Sequence, residues 1–261
     1  MNNLQLNNEN EPQVFLKKEI SLNDVKQNKD LALLKISELI DKYMNNTTTL
    51  KKANNLSYWI RQYAEYLDFE DTFDSTRLKS YRYGDVIKVN LGYNIGDEEG
   101  GLHYCIVIDK NNSMHSKVIT IIPLTSVKPN KKIHKTSVFL GDEIYNNLNS
   151  KHSRLYSKFI KEISEISRFK KDSMSQSEMT EHRTKISNAM NDLVILQKLE
   201  GEIEKMKQGS IALVNQITTV SKQRIYDPQK YCDILSGLSI CDISLLKITN
   251  KIKQLFIKNF D

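Results

Sequence analysis

No run of about 18 apolar residues occurs in this 261-residue chain, so the sequence offers no membrane-spanning helix. The stretch Met1 to Pro12 is Asn-rich with two glutamates and lacks the basic-then-apolar layout of a signal peptide. Cysteine is scarce. Cys105, Cys232 and Cys241 are odd in number, scattered, and without a Cys-x-x-Cys pair, which argues against a disulfide framework or a structural zinc site. Also missing are a P-loop, a Gly-x-Ser-x-Gly elbow, a His-Glu-x-x-His pair and any Cys/His cluster at metal-ligand spacing. These absences point to a cytoplasmic protein. What is present is ordinary for a folded chain: 39% hydrophobic and 27% charged residues, too apolar for wholesale disorder.

Net charge is +6, and its distribution says more than its size. Lys117 to Gly141 carries five lysines (117, 128, 131, 132 and 135) and no acidic residue. Such a loop suits a phosphate backbone, or else it is a solvated lysine loop.

The hydrophobic pattern changes period along the chain. Residues 1–19 read as a disordered tail and 20–80 as an N-terminal helical region. Within it Leu33, Ile36, Ile40 and Tyr43 recur at helical spacing, with Ser21 and Asp24 as a start signal. After Asn45 to Thr49, a second helix runs through Leu56, Trp59, Ile60, Tyr63 and Leu67 to near Asp71, completing a helical hairpin. Trp59 reads as a packing residue. From Tyr83 the texture becomes short β-branched runs (85–91, 103–109, 117–124, 135–140) between Gly, Asn, Asp and Pro clusters, the pattern of a meander or small barrel. The gap 92–101 holds four of the nine glycines, a loop that bends tightly or lets something approach its backbone.

Residues 142–208 contain no proline and one glycine, Gly201. Leu155, Phe159, Ile163 and Ile166, then Ile186, Met190, Leu193 and Leu196, predict two long antiparallel helices, a coiled-coil-like hairpin turning at 171–180. Strand texture resumes at Ser210 and continues to Ile225. Pro228 is expected to open a C-terminal helix whose buried face includes Leu235, Leu238, Ile243, Leu246, Ile248, Ile252 and Phe256. The class is therefore α+β: a small barrel over 81–141 and 209–261, interrupted by an inserted helical hairpin over 142–208.

Several segments resemble one family. Tyr83-Gly84-Asp85-Val86-Ile87, then Gly96-Asp97-Glu98-Glu99-Gly100-Gly101-Leu102-His103-Tyr104, then Ile121-Ile122-Pro123-Leu124-Thr125-Ser126 look like the first three strands of the MazF/PemK toxins. The segment 210–224, with Gln216-Ile217-Thr218-Thr219, is similar to that family's later strand pair. The resemblance implies an SH3-like (CcdB/MazF-type) barrel and a metal-independent endoribonuclease acting on single-stranded RNA without metal or organic cofactor. It also implies a homodimer and inhibition by a cognate antitoxin. In the family an Arg after the Gly-Gly loop and a Thr ending the third strand carry much of the chemistry. Thr125 matches that Thr; the Arg position is His103, and the proline usual after it is Tyr104.

Arginine is permanently charged, whereas histidine titrates near neutrality. The expectation is that His103 acts as general acid or base, Thr125 and Ser126 hold phosphate oxygens, and Lys128 adds charge. Gly101, Gln216, Lys222 and Arg224 complete the expected RNA contacts, while Glu98 and Glu99 either orient the catalytic group or keep the loop solvated, the solvated reading being favoured. Cys105, inside a predicted strand, reads as an inert thiol. Two alternatives remain: a CcdB-like gyrase poison, or a degenerate barrel serving as an interaction or RNA-binding module.

Overall fold

The computed structural model describes residues 20–130, 132–168, 175–206 and 209–258. The expected tail over 1–19 lies outside them, as do positions 171–174 of the expected turn. By internal contacts the chain divides into two compact units, Met1–Tyr58 and Trp59–Asp261.

In the first unit, helix α1 (Leu22–Met44) begins with the expected cap. Ser21 accepts from the Asp24 backbone N–H, and the Asp24 carboxylate accepts from that of Ser21, so two orphan donors are satisfied reciprocally. Ile36, Ile40 and Tyr43 are half-buried as their spacing predicts, but Leu33 is exposed and no residue of α1 is fully buried. Helix α2 (Leu50–Phe69) follows a single 3-10 turn whose Thr49 hydroxyl donates to the Tyr43 carbonyl at 2.7 Å.

The second unit is built on seven antiparallel strands: β1 (Val86–Asn90), β2 (Leu102–Val107), β3 (Val118–Ser126), β4 (Val138–Gly141), β5 (Ser210–Ala212), β6 (Thr218–Ser221) and β7 (Ile225–Asp227). Their order is β4-β5-β3-β2-β1-β7, with β6 also paired to β3. The α+β class holds. Among the described residues the sheet is open, since no ladder joins β4 to β7. Strand alternation explains its two cores. Val86, Ile106, Ile122 and Leu124 face one cluster; Ile87, Val89, Cys105, Val107, Ile119 and Ile121 face the other. Each side chain of this size contributes about 1.5–3 kcal/mol when fully buried.

Helices α3 (Glu143–Ser167) and α4 (Gln176–Lys205) form the expected antiparallel pair, as the contacts His152–Glu200, Lys158–Asp192 and His182–Ile166 show by their opposed numbering. Helix α4 starts inside the predicted turn, because Ser175 and Glu178 form a second capping box. Its buried face also differs from the prediction: Ala189, Asp192, Leu196 and Leu199 are buried, while Ile186, Met190 and Leu193 are exposed. The 3-4-3 spacing of the buried set is the narrower seam of a helical pair, and it admits Asp192 because Lys158 meets it at 2.7 Å. At the base of the hairpin Ile144, Leu148 and Leu199 join the same core as the sheet.

Pro228 does not open a helix. Residues 228–241 form turns, with Lys230 and Gln229 N–H groups capped by Asp233 and Gly237 at φ +76°; helix α5 starts only at Asp242. Its inward face is Ile248 with Leu245, Ile252 and Leu255, so Ile243, Leu246 and Phe256 point outward instead.

Asp227 at the end of β7 accepts from the Leu235 N–H at 2.8 Å. Burial, aided by Asp233 and Glu202 nearby, pushes its carboxyl from 3.8 up to about 6. The folded state thus holds the proton more tightly than the unfolded chain. The stability this contributes is complete below about pH 4 and lost as pH rises through about 6. Asp227→Asn keeps the acceptor oxygen and removes the charge. It is expected to raise stability at pH 8 by about 1 kcal/mol, discounted for a half-exposed group, with the gain gone near pH 4, as thermal melts at both pH values will show.

Candidate active site

The glycine loop between β1 and β2 closes on itself. Leu91 N–H donates to the Gly101 carbonyl at 2.7 Å, and Gly101 N–H to that of Gly92 at 2.6 Å. Gly92 sits at φ +85°, and a Cβ there would lie 2.6 Å from the Trp59 ring, so only glycine fits. Trp59 is thus a packing residue, as expected.

Gln216, from the 3-10 turn before β6, staples this loop. Its Oε1 accepts from the Glu99 N–H at 2.6 Å and its Nε2 donates to the Asp97 carbonyl at 3.1 Å. The staple presents the Glu99 carboxylate to His103, whose Nε2 lies 3.1 Å from Glu99 Oε1. On the other edge of the ring, Nδ1 donates to the Leu124 carbonyl of β3 at 3.1 Å. Both side chains are about a quarter exposed, 28% for His103 and 24% for Glu99. With Nδ1 donating to a backbone carbonyl, Nε2 is the ring nitrogen left beside the Glu99 carboxylate. Of the two readings of Glu99, the favoured solvating one is corrected: its carboxylate lies against the histidine ring, as the orienting one has it. Glu98 stays local, accepting from the Ile95 N–H at 3.4 Å.

His103, Thr125 and Ser126 line one cavity of about 240 Å³, together with Ser210, Lys205 and Met206. The ladder of β2 on β3 pairs Cys105 with Pro123, Ile106 with Ile122 and Val107 with Ile121, and continuing that register brings His103 opposite Thr125. The end of β3 is held from its other side by β5, which pairs Thr125 with Ile211 and Ser126 with Ser210. Lys205 is a lining residue that the sequence reading missed, because it reaches the cavity from the end of α4 and no local pattern announces it.

The other expected residues are dispersed. Gly101 is exposed at φ +86°, with no atom within 4 Å of where a Cβ would stand, leaving its backbone open to approach. Lys128 is exposed, two residues beyond Ser126 and outside the cavity lining. Gln216 and Arg224 line a second cavity of about 360 Å³ that Glu99 also borders. Arg224 donates from Nε to the Asn90 carbonyl at 2.8 Å and lies 5.4 Å over the Trp59 ring. Lys222 is the clear correction. It is 2% exposed and donates to the Ser113 carbonyl at 2.8 Å beneath the Tyr81 ring, so it is not available to RNA. Cys105 is fully buried and its thiol is pushed up by that burial, as an inert thiol would be.

Residues 82–190 match the model of a family described as the PemK-like, MazF-like toxin of type II toxin–antitoxin systems. This stretch is MazF/PemK-like. It contains Glu99, His103, Thr125, Ser126 and Lys128, runs on through α3 into α4, and stops before β5. The resemblance of 210–224 to the family's later strands lies beyond it. A comparison with curated proteins gives no match. Among the described residues, no helix is long and apolar enough to cross a membrane.

Because Lys222 is structural, Lys222→Ala is expected to lower stability by about 2 kcal/mol, through lost packing and an unsatisfied Ser113 carbonyl. Urea denaturation measures it; an unchanged midpoint would return Lys222 to the surface.

Proposed function

We propose that this protein is the toxin of a type II pair and cuts single-stranded RNA by attack of a ribose 2′-OH on the adjacent phosphate, without a metal ion. The observation that carries this reading is the convergence of His103, Thr125 and Ser126 on one cavity, with Glu99 on the imidazole. The membership of 82–190 in a toxin family supports the same class of activity.

In the reaction the bond from the 2′-oxygen to phosphorus forms and the bond to the 5′-oxygen breaks, giving a 2′,3′-cyclic phosphate and a 5′-hydroxyl. One proton leaves the 2′-OH and one arrives on the 5′-oxygen. Nδ1 of His103 is engaged by a backbone carbonyl, so Nε2 is the nitrogen that exchanges protons. The Glu99–His103 pair takes the first proton and returns one to the leaving oxygen, acting as a single proton store. Hydroxyls of Thr125 and Ser126 donate to the non-bridging oxygens, where charge grows in the transition state. Gly101 and Lys128 serve as contacts for neighbouring nucleotides, with Arg224 in the second cavity, while Gln216 acts through the loop it staples. A cognate antitoxin and a second copy of the chain are the proposed partners.

Incubating the purified protein with a long single-stranded transcript in EDTA tests this. Discrete fragments ending in 2′,3′-cyclic phosphate are expected, with rates lowered at least about 100-fold in His103→Ala and in Thr125→Ala. Glu99→Gln is expected to lower kcat about tenfold with little change in KM. Intact RNA from folded wild type would sink the enzyme reading in favour of a gyrase poison or an interaction module. A rate flat from about pH 5 to 8 would remove His103 from proton transfer.

A further inference from the structure

The carboxyl end of α4 approaches the His103 cavity under tight control. Glu202, on the last turn of α4, forms an ion pair with Lys88 of β1 and accepts a hydrogen bond from the Tyr104 hydroxyl of β2. Lys88 also lies 5.0 Å over the Tyr104 ring. Lys88 and Glu202 are largely buried, with side chains 16% and 12% exposed. Burial and the adjacent Glu202 carboxylate hold the Tyr104 phenol protonated, so it remains the donor. Tyr104 is the residue next to His103. Beyond α4 the chain is pinned again: the Gly209 N–H donates to Asp142 Oδ1 at 2.7 Å, and the Gly209 carbonyl accepts from the Val127 N–H at 2.9 Å. A Cβ at Gly209, at φ +79°, would lie 2.6 Å from Val127, so this entry into β5 has little freedom.

Between these two anchors Lys205 and Met206 form one wall of the cavity that His103, Thr125 and Ser126 line. Lys205 is exposed and makes no ion pair among the described residues. The cavity that His103, Thr125 and Ser126 line is therefore bordered by an exposed lysine, whose ammonium is a compact, strongly hydrated charge on a flexible stem. The Glu99 carboxylate, 3.1 Å from His103 Nε2, offsets whatever positive charge the ring takes on during proton transfer. A dianionic transition state at phosphorus needs a cation that is not neutralised in this way.

We propose that Lys205 is that cation: it contacts the scissile phosphate, so that the helical hairpin completes the active site instead of standing apart from it. This rests on the endoribonuclease reading, but the phosphate contact is measurable without cleavage. Anchoring through Glu202, Lys88 and Tyr104 sets the ammonium within reach, and the long Lys stem covers the remaining distance.

The test uses the full chain and two readouts. Cleavage of a long single-stranded transcript is timed at saturating enzyme, and binding of a fluorescent 2′-O-methyl RNA oligonucleotide, which cannot be cut by 2′-OH attack, is followed over a salt series. Lys205→Ala is expected to cut the cleavage rate about 10- to 100-fold and to flatten the salt slope of log Kd by about 0.7. Lys205→Arg, which keeps the charge, is expected to retain most of both. Circular dichroism of each variant guards against a folding defect, which an exposed lysine makes improbable to arise.

If wild type cleaves and Lys205→Ala matches it in rate and salt slope, the inference is overturned while the nuclease reading stands. If wild type binds but never cleaves, the nuclease reading falls, and a flattened salt slope in Lys205→Ala still upholds the phosphate contact. An unchanged slope in that case overturns both.

Discussion

Strand β3 is the member on which the rest of the second unit depends, because it serves three neighbours. Its first half pairs with β6 from Val118 to Ile121, its middle with β2 from Ile121 to Pro123, and its end with β5 from Leu124 to Ser126. Pro123 stands where the neighbour changes. Proline lacks the N–H a central strand normally donates, and here the missing donor falls between the last pair with β6 and the first with β5. The Pro123 carbonyl still accepts from Leu213 at 2.9 Å, which starts the turn into β6. Past this exchange lie the Leu124 carbonyl that fixes His103 and the hydroxyls of Thr125 and Ser126. The site is thus placed by the backbone bookkeeping of one strand.

What was legible in the sequence follows from this. Short β-branched runs mark strands wherever side chains alternate between two buried faces, and β1 to β4 appear within a few residues of their expected spans. Capping residues act locally, so Ser21 with Asp24 announced α1 correctly. His103 and Thr125, expected on those strands, come to line one cavity for the same reason. Lys222 was misread because a charge in sequence is assumed to be solvated. Its burial is set by the Ser113 carbonyl, 109 residues away in the chain, which no local pattern encodes. The apolar face of α4 was misread because Ile186, Met190 and Leu193 fit helical spacing as well as the true seam does, and only the partner helix chooses between them. Pro228 fits a helix start in isolation, yet Asp233 captures the N–H groups of Gln229 and Lys230 in a turn first.

Buried charge in this unit is costly, and several instances are ion-paired. Asp192 has Lys158, Lys79 has Asp85, Glu202 has Lys88 and Tyr104, whereas Lys222 has the Ser113 carbonyl. Replacing such a pair with apolar residues of similar volume is often neutral or stabilising, so their value here is better sought in direction than in energy. An ion pair with a phenol donor fixes the rotation of α4 about its axis; an apolar contact would permit it to roll.

That distinction matters for where the chemistry sits. Catalytic groups act most strongly when their positions are set before the substrate arrives, since no reorganisation is then needed as charge develops. His103 and Thr125 ride on paired strands, and Glu99 is held by the Gln216 staple although it belongs to a loop. Lys205 differs in that its backbone lies between two anchored points while no ion pair holds its head among the described residues. Under the proposed reaction such a cation suits an RNA strand that must enter and leave, because the ammonium can follow the phosphate as the bond order at phosphorus shifts.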